Sequence, residues 1–265
     1  MHDARRFPYF RKALGDRPST PASCALPRLN PARENPASYR VPEALAHAIN
    51  VALLLGKPLL LTGPPGTGKT RLADVIAHEL RENPAEEHGL RIHKFETKST
   101  SVAQDMFYTY DAIAAFRSRD AVDNRVFIDY QALGLAILEA FPAEQVARFI
   151  DAQHHGGQRR AVVLIDEIDK APRDFPNGLL NEIERNYFRV RELGNAGTPG
   201  ADMRESLVPP ACRPIVVITS NAEKTLPEAF LRRCVYFHIA AAEGSRSKKS
   251  CSRACPTSPK GRCRR

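Results

Sequence analysis

Short apolar runs alternate with longer amphipathic segments between Pro42 and Ile239. Runs of this length without polar alternation are typical of strands buried on both faces of a parallel sheet. The pattern predicts such strands at 58–62, 161–166, 214–220 and 235–239, and a further strand at 92–97. It predicts helices at 41–56, 69–81, 102–116, 174–185 and 227–233, with two short helices before residue 158. Alternation of this kind indicates an α/β fold whose parallel sheet is covered on both sides.

The two ends of the chain differ in composition from the middle. Residues 1–38 contain six prolines and no sustained periodicity, so we expect an extended arm there. Of the net charge of +9, residues 1–40 carry +5 and residues 240–265 carry +7, which leaves −3 between them. The basic charge therefore favours solvated ends over a nucleic-acid groove, and nucleic acid is an unlikely partner.

Targeting segments and a disulfide framework are not predicted. The N-terminus lacks the apolar core of a secretory signal, and no apolar run is long enough to cross a bilayer. Three cysteines are scattered over the first 239 residues, and the other three, in the tail, lack a fourth zinc ligand. We therefore expect a cytoplasmic protein without a membrane partner.

The strongest chemical motif is GPPGTGKT at residues 63–70, between a predicted strand and a predicted helix. Glycines at these positions let backbone N–H groups and the helix N-terminus point at phosphates. Lys69 is expected to contact the β- and γ-phosphates of ATP, and the Thr70 hydroxyl to bind Mg²⁺. A plain glycine turn would need neither side chain. The predicted nucleotide-binding residues of this loop are Gly63, Pro64, Pro65, Gly66, Thr67, Gly68, Lys69, Thr70 and the adjoining Arg71.

Two further polar groups follow predicted strands. Asp166 ends one strand and is expected to hold Mg²⁺ with Thr70, while the adjacent Glu167 could polarise an attacking water. Asn221 follows the next strand, where its amide would contact the γ-phosphate or that water. Helix caps are the alternative interpretation of both groups. Water activation favours ATP hydrolysis over phosphate transfer to a small molecule.

These segments resemble the AAA+ ATPases and, within them, the MoxR-like and dynein-related group. The resemblance covers 39–239 and is carried by GPPGTGKT, by VVLIDEIDKAPRDFPNGLLNEIE (162–184), by ITSNAEKTLPEAFLRR (218–233) and by the lead-in at 39–61. It implies a P-loop NTPase three-layer sandwich with sheet order 5-1-4-3-2. It also implies Walker A at 63–70, Walker B at 162–167, sensor 1 at Asn221, and a hairpin inserted near 187–214.

Other positions are assigned by the resemblance alone. It implies that Arg232 or Arg233 is an arginine finger completing a neighbouring subunit's site, and that Tyr39 and Val41 lie near the adenine. A solvated arginine pair complementing the helix C-terminus is the alternative interpretation of the first assignment.

The resulting hypothesis is a Mg²⁺-dependent ATPase that assembles into a ring and remodels or activates an unidentified protein client. The alternative is an ATP-binding regulatory module, or a truncated fragment, with little turnover. In the family a helical lid follows the last strand, whereas 240–265 has too few apolar residues to form one. We therefore expect the lid to be absent and the tail to be an out-of-frame or truncated end, or a disordered basic tail. Weak ATP binding, slow hydrolysis and no stable hexamer would follow.

Overall fold

The computed structural model describes residues 35–81, 89–118, 123–151, 153–193, 201–202 and 208–240. The chain divides after Arg40 into two units. Of the first, the described part is a 3₁₀ turn at Pro36–Ser38, capped by the Asn35 side chain. The second begins at Val41 and contains every element discussed below. The predicted arm and tail lie almost wholly outside the described residues, so both remain predictions.

Five parallel strands form the central sheet. They are β1 (Leu59–Thr62), β2 (Arg91–Glu96), β3 (Ala161–Asp166), β4 (Ile215–Ser220) and β5 (Val235–His238). Their spatial order is β2-β3-β4-β1-β5, which is the predicted 5-1-4-3-2 order counted from the other edge. The predicted fold class is therefore confirmed. Since all the strands are parallel, their carboxyl ends lie along one edge of the sheet.

Eight α-helices are described in the second unit. They are α1 (Glu43–Leu55), α2 (Arg71–Glu79), α3 (Ala112–Arg117), α4 (Ala132–Glu139), α5 (Ala143–Val146), α6 (Phe175–Gly178), α7 (Leu180–Arg185) and α8 (Glu228–Leu231). Short 3₁₀ helices lie at Ala103–Met106, Asn124–Phe127, Ile168–Lys170, Arg191–Leu193 and Pro210–Cys212. None of the helices in the described ranges has the length and apolar content needed to cross a bilayer.

Both faces of the sheet are covered, and the central strands are apolar on both faces up to the polar residues at their carboxyl ends. Val163 and Ile165 of β3 belong to the main hydrophobic core, together with Leu133 of α4. The intervening Val162 and Leu164 are equally buried and face the other side, where α2 packs against β3. Burial on both sides explains why these strands show no polar alternation.

The prediction of one helix over residues 102–116 is wrong. A 3₁₀ turn at 103–106 leads into a strand, Tyr108–Tyr110, which pairs antiparallel with Ile128–Tyr130. Helix α3 begins only after Asp111, whose side chain accepts a hydrogen bond from the Ala114 N–H as its cap. Since an N-cap residue is itself non-helical, the segment contains a short helix and not a continuous one.

Two other predictions need correction in detail. The helix predicted at 174–185 is divided into α6 and α7, next to Gly178, where an added Cβ would lie 2.8 Å from the Ala103 Cβ. The last strand was expected to be buried, but β5 is an edge strand, and Tyr236 is 55% exposed. Exposed residues alternate with partly buried ones along β5, so one face of this strand reaches solvent.

The predicted hairpin before β4 is present. Arg189–Val190 pairs antiparallel with Ala201–Asp202. Phe188 is buried and stacks on Phe107, with ring centroids 5.6 Å apart, and this anchors the first strand to the core. The connecting residues 194–200 and the following 203–207 lie outside the described part of the chain.

Candidate nucleotide site

The loop between β1 and α2 has a backbone that depends on glycine. Gly63, Gly66 and Gly68 have φ values of 149°, 80° and 84°, which L-residues with side chains rarely adopt. A Cβ on Gly63 would lie 2.3 Å from the carbonyl oxygen of Ile239, which follows β5. The loop is tightened by a 2.9 Å hydrogen bond from the Thr67 hydroxyl to the Pro64 carbonyl.

Lys69 lies inside this loop. Its side chain is buried, and its Nζ donates to the carbonyl oxygens of Gly63 (2.7 Å) and Pro64 (2.9 Å). Burial lowers the pKa of Lys69, and the negative field of Asp169, Asp166 and Glu167 opposes that shift. The ammonium is thus held among backbone carbonyl oxygens and near carboxylates.

Asp166 lies at the carboxyl end of β3, where it joins three neighbouring segments. One carboxylate oxygen accepts hydrogen bonds from the Thr70 hydroxyl at 3.0 Å and the Thr219 hydroxyl at 2.6 Å. Its other oxygen lies 3.5 Å from the ammonium of Lys94 on β2. The strand order β3-β4-β1 brings these residues together. Thr219 belongs to β4, which lies between the strand that ends at Asp166 and the strand that leads to Thr70.

Glu167 and Asn221 are also brought together. The Asn221 amide donates to Glu167 Oε1 at 3.1 Å, and the Lys170 ammonium lies 2.5 Å from Glu167 Oε2. The Glu167 backbone is left-handed, with φ of 55°, and its N–H donates to the Thr219 hydroxyl at 2.9 Å. Backbone strain of this kind at a non-glycine residue requires support from its surroundings, which this hydrogen bond supplies.

These groups border one cavity of about 440 Å³ at the carboxyl edge of the sheet. It is lined by Pro65, Gly66, Gly68, Lys69, Thr70, Arg71, Asp166, Glu167, Thr219 and Asn221. The predicted phosphate, metal and water-activating residues therefore surround a common space. Gly63, Pro64 and Thr67 belong to the loop and form its internal hydrogen bonds, but they do not line the cavity.

Sequence reasoning assigned no role to Asp169. This carboxylate is 2% exposed and accepts hydrogen bonds from the backbone N–H groups of Asn221 (3.3 Å) and Glu223 (3.0 Å). It therefore holds the backbone that carries the Asn221 amide. An acid three residues after Asp166 was visible in the sequence, but only the strand order shows which loop it reaches.

Arg232, Arg233 and Val41 do not line the cavity. Arg232 pairs with Glu228 one helical turn earlier, and the Arg233 guanidinium lies 3.3 Å from Glu184 of α7. Tyr39 belongs to the first unit and ends its 3₁₀ turn, and Val41 is half-buried just before α1. The roles predicted for these four residues thus remain predictions.

A glycine loop that opens a helix and faces carboxylates at the carboxyl end of another parallel strand of the same sheet defines a P-loop nucleotide-binding protein. The family model of AAA, the ATPase family associated with various cellular activities, matches residues 59–240. The chain belongs to this family, and its core is an AAA ATPase domain.

One solved structure with a similar chain is that of a "putative ATPase" from Cytophaga hutchinsonii. The two are 16% identical, with a TM-score of 0.41, and the match covers 75% of this chain and 46% of the other. This chain thus matches about half the length of that protein.

Proposed function

We propose that the chain hydrolyses ATP in a Mg²⁺-dependent reaction at the cavity bordered by Lys69, Asp166 and Glu167. The observation that carries the proposal is the 3.1 Å contact between the Asn221 amide and the Glu167 carboxylate, two residues that line this cavity. A carboxylate oriented by an amide suits the activation of water, whereas phosphate transfer would require space for a second substrate.

The oxygen groups at the cavity fit a magnesium ion. Ligands of octahedral Mg²⁺ lie at about 2.1 Å, so neighbouring ligand oxygens are roughly 3 Å apart. The Thr70 hydroxyl and the nearer Asp166 oxygen are 3.0 Å apart, and both are hard oxygen donors. We infer that these two residues hold the ion or its water shell. Bound there, Mg²⁺ would neutralise charge on the phosphate oxygens.

Lys69, Glu167 and Asn221 have different roles in the proposed hydrolysis. The Lys69 ammonium binds the β- and γ-phosphate oxygens and stabilises the charge that develops on them. Glu167 accepts a proton from the attacking water, and Asn221 keeps that carboxylate in place. The Lys170 ion pair with Glu167 must open before the second carboxylate oxygen can reach water.

The alternative, an ATP-binding switch with little turnover, is favoured by that same Lys170–Glu167 pair. With Asn221 on one oxygen and Lys170 on the other, Glu167 is fully engaged. Lys170→Gln separates the two functions because it removes the cation and leaves the loop intact. A tenfold or greater rise in phosphate release would identify a restrained enzyme, and an unchanged slow rate would favour the switch.

Hydrolysis itself is tested by phosphate release from Mg-ATP. We expect release that requires Mg²⁺ and is lost in Glu167→Gln, while that variant still binds ATP. Equal release by Glu167→Gln and the unmodified chain would exclude Glu167 as the general base.

We further propose the role of a MoxR-like remodelling ATPase that acts on a protein client as part of a ring. Arg233 supports this proposal because its guanidinium is partly exposed and anchored to Glu184. If it completes a neighbour's site, a mixture of Arg233→Ala and Glu167→Gln chains should hydrolyse ATP although neither does so alone. No recovery on mixing would contradict a role in trans.

The protein client is sought with the Glu167→Gln variant, which should hold ATP without hydrolysing it and retain a bound client. The cytoplasmic location remains a prediction.

A further inference from the structure

A second pocket, of about 240 Å³, lies at the amino edge of the sheet. It is bordered by the end of α1, the starts of β1 and β4, and Arg160 just ahead of β3. Strand β4 has six residues, which at about 3.3 Å per residue places this pocket roughly 20 Å from the nucleotide cavity. Nothing in the proposed hydrolysis uses it.

The charged groups that border this pocket are all cationic. They are Lys57, Arg160 and Arg213, and among the described residues no acidic side chain lines the pocket. In the described part of the chain, the Nε atoms of both arginines are buried without a hydrogen-bond partner, although Arg160 Nη2 donates to the Pro210 carbonyl at 2.8 Å. A buried donor without an acceptor is costly, and more so on a charged group. The pocket is thus bordered by two guanidinium groups, each of which keeps a buried Nε–H that no described residue accepts.

Gly56 accounts for the position of one of these guanidiniums. It ends α1 in the left-handed conformation, with φ of 60°, and its N–H donates to the Ala52 and Leu53 carbonyls. A Cβ on Gly56 would lie 2.3 Å from Arg213 Nη1, so a larger residue there would require the guanidinium to shift from this position.

An apolar stripe of α1 adjoins the cations. Val51, Leu54 and Leu55 are 43%, 86% and 58% exposed, respectively. They occupy positions i, i+3 and i+4 of the helix. Residues with this spacing lie on one helix face. Leu54 also lines the pocket, so the apolar stripe and the cationic pocket form one continuous surface.

We propose that this surface binds an acidic, apolar segment of a partner protein, with a carboxylate against Arg160 and Arg213 and apolar side chains on Leu54. Charge complementarity selects this occupant. A purely apolar partner would bury two guanidinium groups without a counter-charge, which is unfavourable. A phosphate backbone would pair with the arginines but would leave the leucine stripe in water. A peptide with both features satisfies the entire surface.

The test uses a short dye-labelled peptide of leucine and glutamate and its leucine–glutamine counterpart. Fluorescence anisotropy with the full chain should show binding of the acidic peptide and at least tenfold weaker binding of the neutral one. Arg213→Gln should weaken binding of the acidic peptide about tenfold, as expected for loss of a charge-assisted hydrogen bond. Arg117→Gln, at an exposed arginine of α3, makes the same charge change elsewhere and should have no effect.

Leu54→Ser tests the apolar part independently, because this side chain is exposed and its replacement leaves the core intact. It should also weaken binding, and ATP affinity should remain unchanged in both variants, which shows that they are folded. Equal binding of the two peptides, or equal loss in Arg117→Gln, would overturn the proposal. It would also be overturned if Leu54→Ser abolished self-association of the chain alone, since a second copy would then be the occupant.

Discussion

The two carboxylates Asp166 and Glu139 lie near opposite edges of the same sheet and have very different partners. Glu139, at the end of α4, is 6% exposed, and its two oxygens accept hydrogen bonds from Arg91 at 2.7 Å and from His93 at 2.9 Å. Asp166 instead accepts from the neutral hydroxyls of Thr70 and Thr219, and its nearest cation, the Lys94 ammonium, lies 3.5 Å away.

This difference separates a group that stabilises the fold from one that can bind an ion. Both oxygens of Glu139 have partners in a buried setting, so removal of the carboxylate would leave Arg91 and His93 without an acceptor. Neutral hydroxyls around Asp166 leave its negative charge available to a divalent cation, which is the arrangement expected of a metal ligand. Substitution of Glu139 should therefore lower the stability of the fold, whereas substitution of Asp166 should lower the rate of hydrolysis.

The largest expected effect is on ATP affinity at the carboxyl edge. Lys69→Ala removes the ammonium that we propose binds the phosphates, and its charge-assisted hydrogen bonds to them would be lost. We expect ATP affinity to fall about 1000-fold, measured by calorimetric titration, with little change in the unfolding midpoint.

The matched control for that variant is Lys57→Ala, which removes a lysine at the amino edge. It should bind ATP as tightly as the unmodified chain. Wild-type affinity in Lys69→Ala would show that the phosphates bind elsewhere.

Asp166→Asn should act on the dependence of hydrolysis on Mg²⁺. The amide presents one weaker oxygen in place of a carboxylate, so the Mg²⁺ concentration for half-maximal hydrolysis should rise roughly 100-fold. Titration of phosphate release with Mg²⁺ measures this. An unchanged half-maximal concentration would remove Asp166 from the metal site.

The third expected effect is a pH dependence of stability at the other edge. Burial acts to raise the pKa of Glu139, but the hydrogen bond from His93 and the charges of His93, Arg91 and Arg159 prevail and lower it below 4.5. A carboxyl with a lowered folded-state pKa stabilises the protein above its unfolded-state pKa, and this stabilisation is lost as the pH falls through the folded-state value.

Glu139→Gln should accordingly lower the free energy of unfolding by about 2 kcal/mol at pH 7. Denaturant titrations at pH 7 and near pH 3 measure the difference between the two proteins, which should shrink in acid. A difference that is equal at both values would contradict an ionised Glu139.

The sequence predicted β1, β3, β4 and β5 because each is a short, largely apolar run, and the phosphate and metal motifs lie at the ends of the first three. Lys69, Asp166, Glu167 and Asn221 were found for the same reason, since each follows such a run. The strand Tyr108–Tyr110 was missed because its alternation is short and the flanking alanines favour a helix.

The contacts of Asp169, Thr219 and Glu139 could not be predicted, because each depends on a partner distant in sequence. Asp169 reaches a loop more than fifty positions away, and Thr219 reaches Asp166 across neighbouring strands. Glu139 sits in a helix whose pattern gives no indication that its last residue is buried against β2. Such contacts follow from strand order and helix packing, which local periodicity does not specify.

We propose that the carboxyl edge of the sheet carries out hydrolysis, whereas the cluster of Glu139, Arg91 and His93 stabilises the fold. The most direct test makes the same exchange at both, by comparing the hydrolysis rate and the unfolding midpoint of Glu167→Gln and Glu139→Gln. We predict that Glu167→Gln loses hydrolysis by about 100-fold or more while its unfolding midpoint is unchanged, since a general base contributes on that order. Glu139→Gln should unfold more easily and, where folded, hydrolyse ATP at the normal rate. Retained hydrolysis in Glu167→Gln, or lost hydrolysis in a folded Glu139→Gln, would contradict the account.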